Sequence, residues 1–222
     1  FCSVMGSLAN MAGFSGLGAF NHAQFVGGAK NTAVREEGLS GLLMESTGLS
    51  EGHPLNASFA LTTTCPDYTL KPVWYEGGWF DGIQDLWDDF SDDGKLREHN
   101  EYGAEGNRMM KNVFHRVGSL APYATIPAGG EYEFEFLLTW HVPNRLLGWG
   151  QDASCCGADC DCTPKVTRNY YSLRFDNALA VARDMARGME VLEGRTLAFH
   201  RAFFGSTLPL EVLDAASANI TV

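Results

Sequence analysis

The stretch VFHRVGSLAPYATIPAGGEYEFEFLLTW, residues 113–140, is the most informative part of the chain for its fold. Residues 113–126 have the apolar content of a strand, and residues 132–140 alternate aromatic side chains with glutamates before an apolar end. Between the two runs lies the sequence PAGGE, residues 127–131, which is typical of a hairpin turn. The pattern predicts two paired antiparallel strands with one face in a core and the other toward water.

Three more runs upstream predict strands. Residues 38–45 form a short apolar run, and residues 56–64 alternate between two faces. The segment SEGHPLN, residues 50–56, separates these runs as a turn, so we expect them to form a hairpin. Residues 73–75 predict a third short strand, whereas the glycine-rich residues 1–30 predict a loop after a short opening strand.

Helical patterns occupy one internal segment and the end of the chain. Residues 79–90 predict a short helix with Phe80, Ile83 and Trp87 on one side. After Asn169, apolar residues recur at helical spacing, and Pro209 predicts the first turn of a further helix.

Strands followed by helices predict a mainly β fold, an antiparallel β-sandwich followed by C-terminal linker helices. We expect residues 1–168 to form the sandwich, incomplete at its N-terminus, and residues 169–222 to form the helical linker. The chain begins within a predicted strand and stops within a predicted helix, which indicates a segment cut from a longer protein.

Charge and hydropathy exclude several classes of function. The formal net charge is −11 and the pI is about 4.9, so the surface repels phosphate backbones and anionic membrane surfaces. We therefore expect no nucleic-acid partner. The sequence has no apolar run of the length that spans a bilayer. Its cysteines are not spread as a disulfide framework, so the compartment stays open.

A cysteine cluster is the most conspicuous local motif. Cys155, Cys156, Cys160 and Cys162 place four thiols within eight residues. Thiolates are preferred zinc ligands, but structural zinc sites usually join two separated pairs, and adjacent cysteines chelate one ion poorly. A zinc site, local disulfides and unpaired surface thiols all remain open, and no other cofactor is expected.

The acidic residues give no catalytic pair. The run from Asp81 to Asp93 could hold calcium, but Phe90 interrupts the alternation of oxygens that a calcium loop needs, so a solvated acidic segment is the simpler interpretation. Glu131, Glu133 and Glu135 line the solvent face of a predicted strand. We therefore predict no catalytic residue within the chain.

Aromatic residues provide the only substrate-binding candidates. Apolar faces of aromatic rings can stack on sugars, and Trp79, Trp87 and Trp140 fall in two aromatic-rich regions. His141 follows Trp140 at a predicted strand end and could line a site. A structural role, in the core for the tryptophans, is the more usual one for each of these residues taken singly.

Several segments resemble glycoside hydrolase family 116, which includes bacterial β-glucosidases and non-lysosomal glucosylceramidases. They are EGLSGLLM (37–44), DLWDDFSDDGKL (85–96), FEFLLTWHVPN (134–144), NYYSLRFDNALAVARDM (169–185) and FFGSTLPLEVLDAASANITV (203–222). The resemblance covers most of the chain from about residue 37 and is strongest over the last third. The cysteine cluster departs from the family pattern.

The resemblance implies a fold and a function. Members of the family join an N-terminal β-sandwich by helices to an (α/α)6 barrel, and the nucleophile Glu and the acid/base Asp lie in that barrel. The chain is therefore expected to be the non-catalytic sandwich of a retaining β-glucosidase, packing against a barrel that binds the β-glucoside. The alternatives are a stand-alone carbohydrate-binding module and a metal-binding module built on the cysteine cluster.

Overall fold

The computed structural model describes residues 4–6, 29–75, 81–98, 117–147 and 165–218. It confirms a mainly β fold followed by helices. The elements are β1 (Val4–Gly6), β2 (Ala29–Glu36), β3 (Leu39–Ser46), β4 (Ser58–Thr63), β5 (Tyr68–Lys71), α1 (Asp81–Asp93), β6 (Gly118–Pro122), β7 (Leu137–His141), β8 (Asn144–Leu146), β9 (Val166–Arg168), a 3-10 turn (Tyr170–Leu173), α2 (Ala178–Phe204) and α3 (Leu210–Ser217).

Two antiparallel sheets form the sandwich. One has the order β2-β3-β4-β7 and the other β1-β6-β5, while β8 and β9 form a separate hairpin. The core between the four-stranded and the three-stranded sheet is built from Leu42, Met44, Phe59 and Leu61 of the first and from Leu70 and Leu120 of the second. Both sheets therefore bury their apolar faces against each other, which is the arrangement that the alternating patterns predict.

The predicted β3–β4 hairpin is confirmed. Leu42 lies opposite Leu61 and Met44 opposite Phe59, with residues 47–57 as the connection. β3 is a central strand because β2 pairs along its other edge. Gly41 permits the close approach to β4, since a Cβ at this position would lie 2.1 Å from the Leu61 carbonyl oxygen.

The predicted hairpin within residues 113–140 is wrong. β6 pairs with β1 and β5, whereas β7 pairs with β4 in the other sheet. The turn itself exists, because the Gly130 amide donates to the Pro127 carbonyl oxygen at 2.9 Å, but residues 123–136 cross from one sheet to the other. Glu135 is held at the end of β4, where its carbonyl oxygen accepts a hydrogen bond from the Thr63 hydroxyl.

The third predicted strand also lies elsewhere. β5 occupies Tyr68–Lys71, while the indole of Trp74, just after it, donates to the Ser119 hydroxyl at 2.8 Å. Residues 73–75 therefore follow β5 and are not part of a strand.

Helix α1 forms where its spacing predicts, but its buried side is polar. Ile83 and Trp87, which share one side of the helix, are about two-thirds exposed, so this side faces solvent. Asp85 and Asp89 instead contact Lys71 of β5, whose ammonium lies 2.7 and 3.5 Å from their carboxylates. Lys71 is only 1% exposed, and a buried ammonium requires carboxylate partners, which fixes the face that α1 presents to the sandwich.

The first turn of α2 is anchored to the outer face of the four-stranded sheet. The Ala178 amide donates to the Ser58 hydroxyl at 2.8 Å, and the Thr139 hydroxyl donates to the Ala178 carbonyl oxygen at 2.7 Å. Arg183 forms a two-bond ion pair with Glu36 at the end of β2. These contacts make the first turns of α2 part of the sandwich.

The chain divides into two compact units, Phe1–Arg183 and Asp184–Val222. In the second unit, Phe199 stacks on Phe203 at 5.6 Å between ring centres, and the His200 ring lies 4.8 Å from that of Phe204. None of the helices in the described residues combines the length and hydropathy needed to cross a membrane. The expected boundary at residue 168 stays a prediction.

Candidate functional site

The structure describes three of the four predicted substrate-binding residues. Trp87 on α1 and Trp140 on β7 are 64% and 59% exposed, so neither is a core residue. His141 is buried, with 4% of its surface exposed. Trp79 lies outside the described residues, as do Cys155, Cys156, Cys160 and Cys162.

Trp140 is exposed because of its position in the sheet. It lies directly opposite Phe59, so both side chains share the face that packs against the second sheet. Phe59 sits in the core, but β7 is the outer strand of its sheet, and Trp140 extends beyond the covered area. The exposed Leu138 lies on the same face two residues earlier. This edge therefore presents an apolar strip to solvent.

His141 points to the opposite face, because successive residues of a strand alternate. Its ring makes an edge contact with Tyr171 at 5.6 Å between ring centres and a hydrogen bond with the Phe175 backbone. Burial lowers the pKa of His141 below its usual range. Its buried Nε2 has no hydrogen-bond partner among the described residues.

Tyr171 and Asn169 hold the segment that follows β7. The Val142 amide donates to the Tyr171 hydroxyl at 2.8 Å, and that hydroxyl donates to the Val142 carbonyl oxygen at 2.6 Å. The Asn169 side chain donates to the same carbonyl oxygen at 2.8 Å. These bonds fix the end of β7 against the 3-10 turn and thereby position His141.

A polar cleft of about 150 Å³ opens at this end of the sandwich, and we name it the His141 cleft. Its walls come from the ends of β3, β4, β7 and β9, from the β3–β4 connection and from the residues just before α2. The lining residues are Glu45, Ser46, Glu51, Asn56, Ala57, Ser58, His141, Pro143, Arg168, Asp176 and Asn177.

The cleft is acidic with one fixed cation. Glu45, Glu51 and Asp176 contribute carboxylates, and Arg168 contributes a guanidinium whose Nη2 lies 3.4 Å from the Ser172 carbonyl oxygen. Asn177 is engaged at the start of α2, where its Oδ1 accepts from the Ala180 amide at 3.0 Å. A second depression of about 290 Å³ shares Glu51 and Arg168 with the cleft, so these two residues separate adjoining hollows.

The cleft as a whole is not evident in the sequence. His141 was a candidate from its place at a strand end, whereas the other lining residues come from separate loops and share no motif. The segment 50–56, which contributes Glu51 and Asn56, reads only as a turn.

The described residues hold no cluster of histidine, cysteine or acidic side chains suited to a metal ion. The acidic run on α1 has a different role, since Asp89 contacts Lys71 and also accepts from Arg97, whose Nε lies 3.0 Å from Oδ1 and whose amide lies 2.9 Å from Oδ2. The zinc hypothesis for the cysteine cluster stays a prediction.

Comparison with known families identifies a matching family model. A family model described as beta-glucosidase 2, glycosyl-hydrolase family 116 N-term, matches residues 2–192. A search of curated proteins found no match.

Proposed function

Because this chain belongs to the N-terminal domain family of glycosyl-hydrolase family 116, we propose that it is the non-catalytic β-sandwich of a retaining β-glucosidase or glucosylceramidase-like enzyme. In this proposal the chain supports an (α/α)6 catalytic barrel and walls one side of the sugar site. The bond-breaking carboxylates lie in the barrel, and hydrolysis proceeds with retention through a glycosyl-enzyme intermediate.

The observation that carries the supporting role is the exposed apolar surface of the second unit. Leu192 and Phe199, seven residues apart on one side of α2, are 43% and 56% exposed. Other large apolar side chains exposed in this unit are Val191, Leu197, Phe204, Leu208, Leu210 and Val212. A concentration of exposed apolar residues is typical of a surface that packs against more protein.

The parent activity is tested on the protein that carries this chain and the residues after it. We expect cleavage of an aryl β-glucoside and not of the matching α-glucoside, with the β-anomer of glucose formed first by proton NMR. If the α-anomer forms first, the retaining mechanism is wrong. If no β-glucoside is cleaved, the proposed activity is wrong.

The supporting role is tested separately by replacing Leu192 and Phe199 with serine in the same parent protein. We expect lower thermal stability and activity, because the apolar contact with the barrel is lost. Glu193→Ser is the matched control, since Glu193 is exposed and polar on the same helix. Equal behaviour of the double variant and the control would contradict a barrel contact at this surface.

A stand-alone carbohydrate-binding module is the second candidate, favoured by the exposed Trp87 and Trp140. Titration of cello-oligosaccharides against tryptophan fluorescence tests it, with Trp87→Ala and Trp140→Ala as variants. An unchanged emission spectrum would exclude binding at these rings. Elemental analysis of the purified chain tests the alternative of a zinc site at the cysteine cluster. Free thiols without bound zinc would exclude that site.

A further inference from the structure

We infer that the His141 cleft is a binding site for a neutral polyhydroxylated molecule of about the size of one monosaccharide. The inference goes beyond the proposed supporting function and does not depend on hydrolase activity. It rests on the shape, the charge and the hydrogen-bonding groups of the cleft within the first compact unit.

The lining offers both kinds of hydrogen-bonding group. The carboxylates of Glu45, Glu51 and Asp176 accept hydrogen bonds, and the guanidinium of Arg168 donates them. Vicinal hydroxyls donate and accept at once, so a polyol can satisfy both sets together. Hydrogen bonds to ionised groups are also stronger than those between neutral groups.

The size of the cleft suits one sugar ring. Its volume of about 150 Å³ corresponds to that of about five water molecules. A single pyranose has a comparable volume, whereas a longer oligosaccharide would extend into the adjoining depression beside Glu51 and Arg168.

Other ligand classes fit the cleft less well. Three carboxylates against one guanidinium repel an anion. No described group of side chains converges for a metal ion. Ala57 and Pro143 supply too little apolar wall for a hydrophobic ligand, which normally needs a largely apolar pocket.

His141 provides an observation independent of the acidic residues. It lines the cleft, is 4% exposed and has a buried Nε2 without a partner among the described residues. A buried polar atom without a hydrogen bond is costly, and such atoms are rare in native proteins. In this proposal a ligand hydroxyl supplies the missing partner.

The test is titration of the full chain with glucose, myo-inositol and glycerol, by calorimetry and by ligand-observed NMR. We expect saturable binding of glucose with a Kd on the order of 1 mM, which is the range for a ligand of this size. Glu51→Gln combined with Asp176→Asn should weaken binding at least tenfold, or about 1.4 kcal/mol. Both residues are exposed, so we expect the double variant to keep the wild-type melting temperature.

A matched control locates the site. Glu133→Gln changes an exposed carboxylate that does not line the cleft, and it should bind glucose as the wild type does. Trp140→Ala separates the cleft from the aromatic surface considered above, because Trp140 lies on the opposite face of β7 from His141. The inference is overturned if no polyol binds, if the double variant binds equally well, if Trp140→Ala abolishes binding, or if the cleft takes only organic cations such as Tris.

Discussion

Replacement of Lys71 by methionine is the sharpest test of how α1 is attached to the sandwich. Lys71 is 1% exposed, and its ammonium contacts Asp85 at 2.7 Å and Asp89 at 3.5 Å. Methionine keeps the length of the side chain but removes its charge, which leaves the buried carboxylate of Asp89 without this cation. Breaking one side of a buried ion pair typically costs about 3–5 kcal/mol.

The structure favours the lower end of that range. Asp89 retains its contacts with Arg97, and the Asp85 side chain is 37% exposed, so water can replace part of what it loses. We therefore expect the free energy of unfolding to fall by about 3 kcal/mol. Adding Asp89→Asn to Lys71→Met should restore part of the loss, because a neutral amide costs less to bury than a carboxylate that has lost its buried cation.

Urea unfolding of the full chain, followed by circular dichroism, measures the change. Arg35→Met is the matched control, because its ion pair with Glu98 is largely exposed, and such pairs contribute less than about 1 kcal/mol. A loss below about 1 kcal/mol for Lys71→Met, or equal losses for both variants, would refute the idea that this buried charge cluster holds α1.

Three further predictions concern the sandwich. Gly41→Ala should lower the free energy of unfolding by about 3 kcal/mol or more, because the added Cβ would lie 2.1 Å from the β4 backbone. Gly52→Ala is the control and should unfold like the wild type, since no atom lies within 4 Å of its added Cβ. Burial holds the pKa of folded His141 below that of the unfolded chain, so the unfolded state binds more protons at and below about pH 6.5. The free energy of unfolding should therefore decrease as the pH falls through this range, and His141→Gln should lessen the decrease, as measured by urea midpoints. Arg183 lowers the pKa of Glu36, mainly through its hydrogen bonds. Near neutral pH, Arg183→Met should therefore reduce the free energy of unfolding by up to about 1 kcal/mol. The difference in stability from the wild type should vanish in acid, because Glu36 becomes protonated first in the unfolded and then in the folded chain.

Local patterns predicted the elements better than their partners. The β3–β4 hairpin and the helices α2 and α3 follow from alternation, helical spacing and Pro209. The turn at 127–130 also exists, yet the strands beside it join different sheets. Strand pairing is decided by partners far along the chain, such as Thr62 and Leu137, which no local signal identifies.

The buried face of α1 and the residues of the His141 cleft could not be predicted for the same reason, because both depend on residues far apart in the sequence. Ile83 and Trp87 form the apolar side that a helical wheel would bury, but Lys71 on β5 draws the acidic side inward. The cleft likewise depends on loops that meet only in the folded chain. His141 could be predicted as a site residue because it lies at the end of a strand. Glu51 and Asp176 belong to no sequence motif that places them in the same site.

The crossing of residues 123–136 between sheets has a consequence for the order in which the sandwich assembles. The β2–β3–β4 meander needs only short loop closures, so it can form early. β7 pairs with β4 across an intervening stretch of chain that includes β5, α1 and β6. β1 pairs with β6 over a still longer sequence separation, as in the pairing of Val4 with Leu120. High contact order of this kind slows folding, so we expect the meander to act as the nucleus and the second sheet to consolidate late.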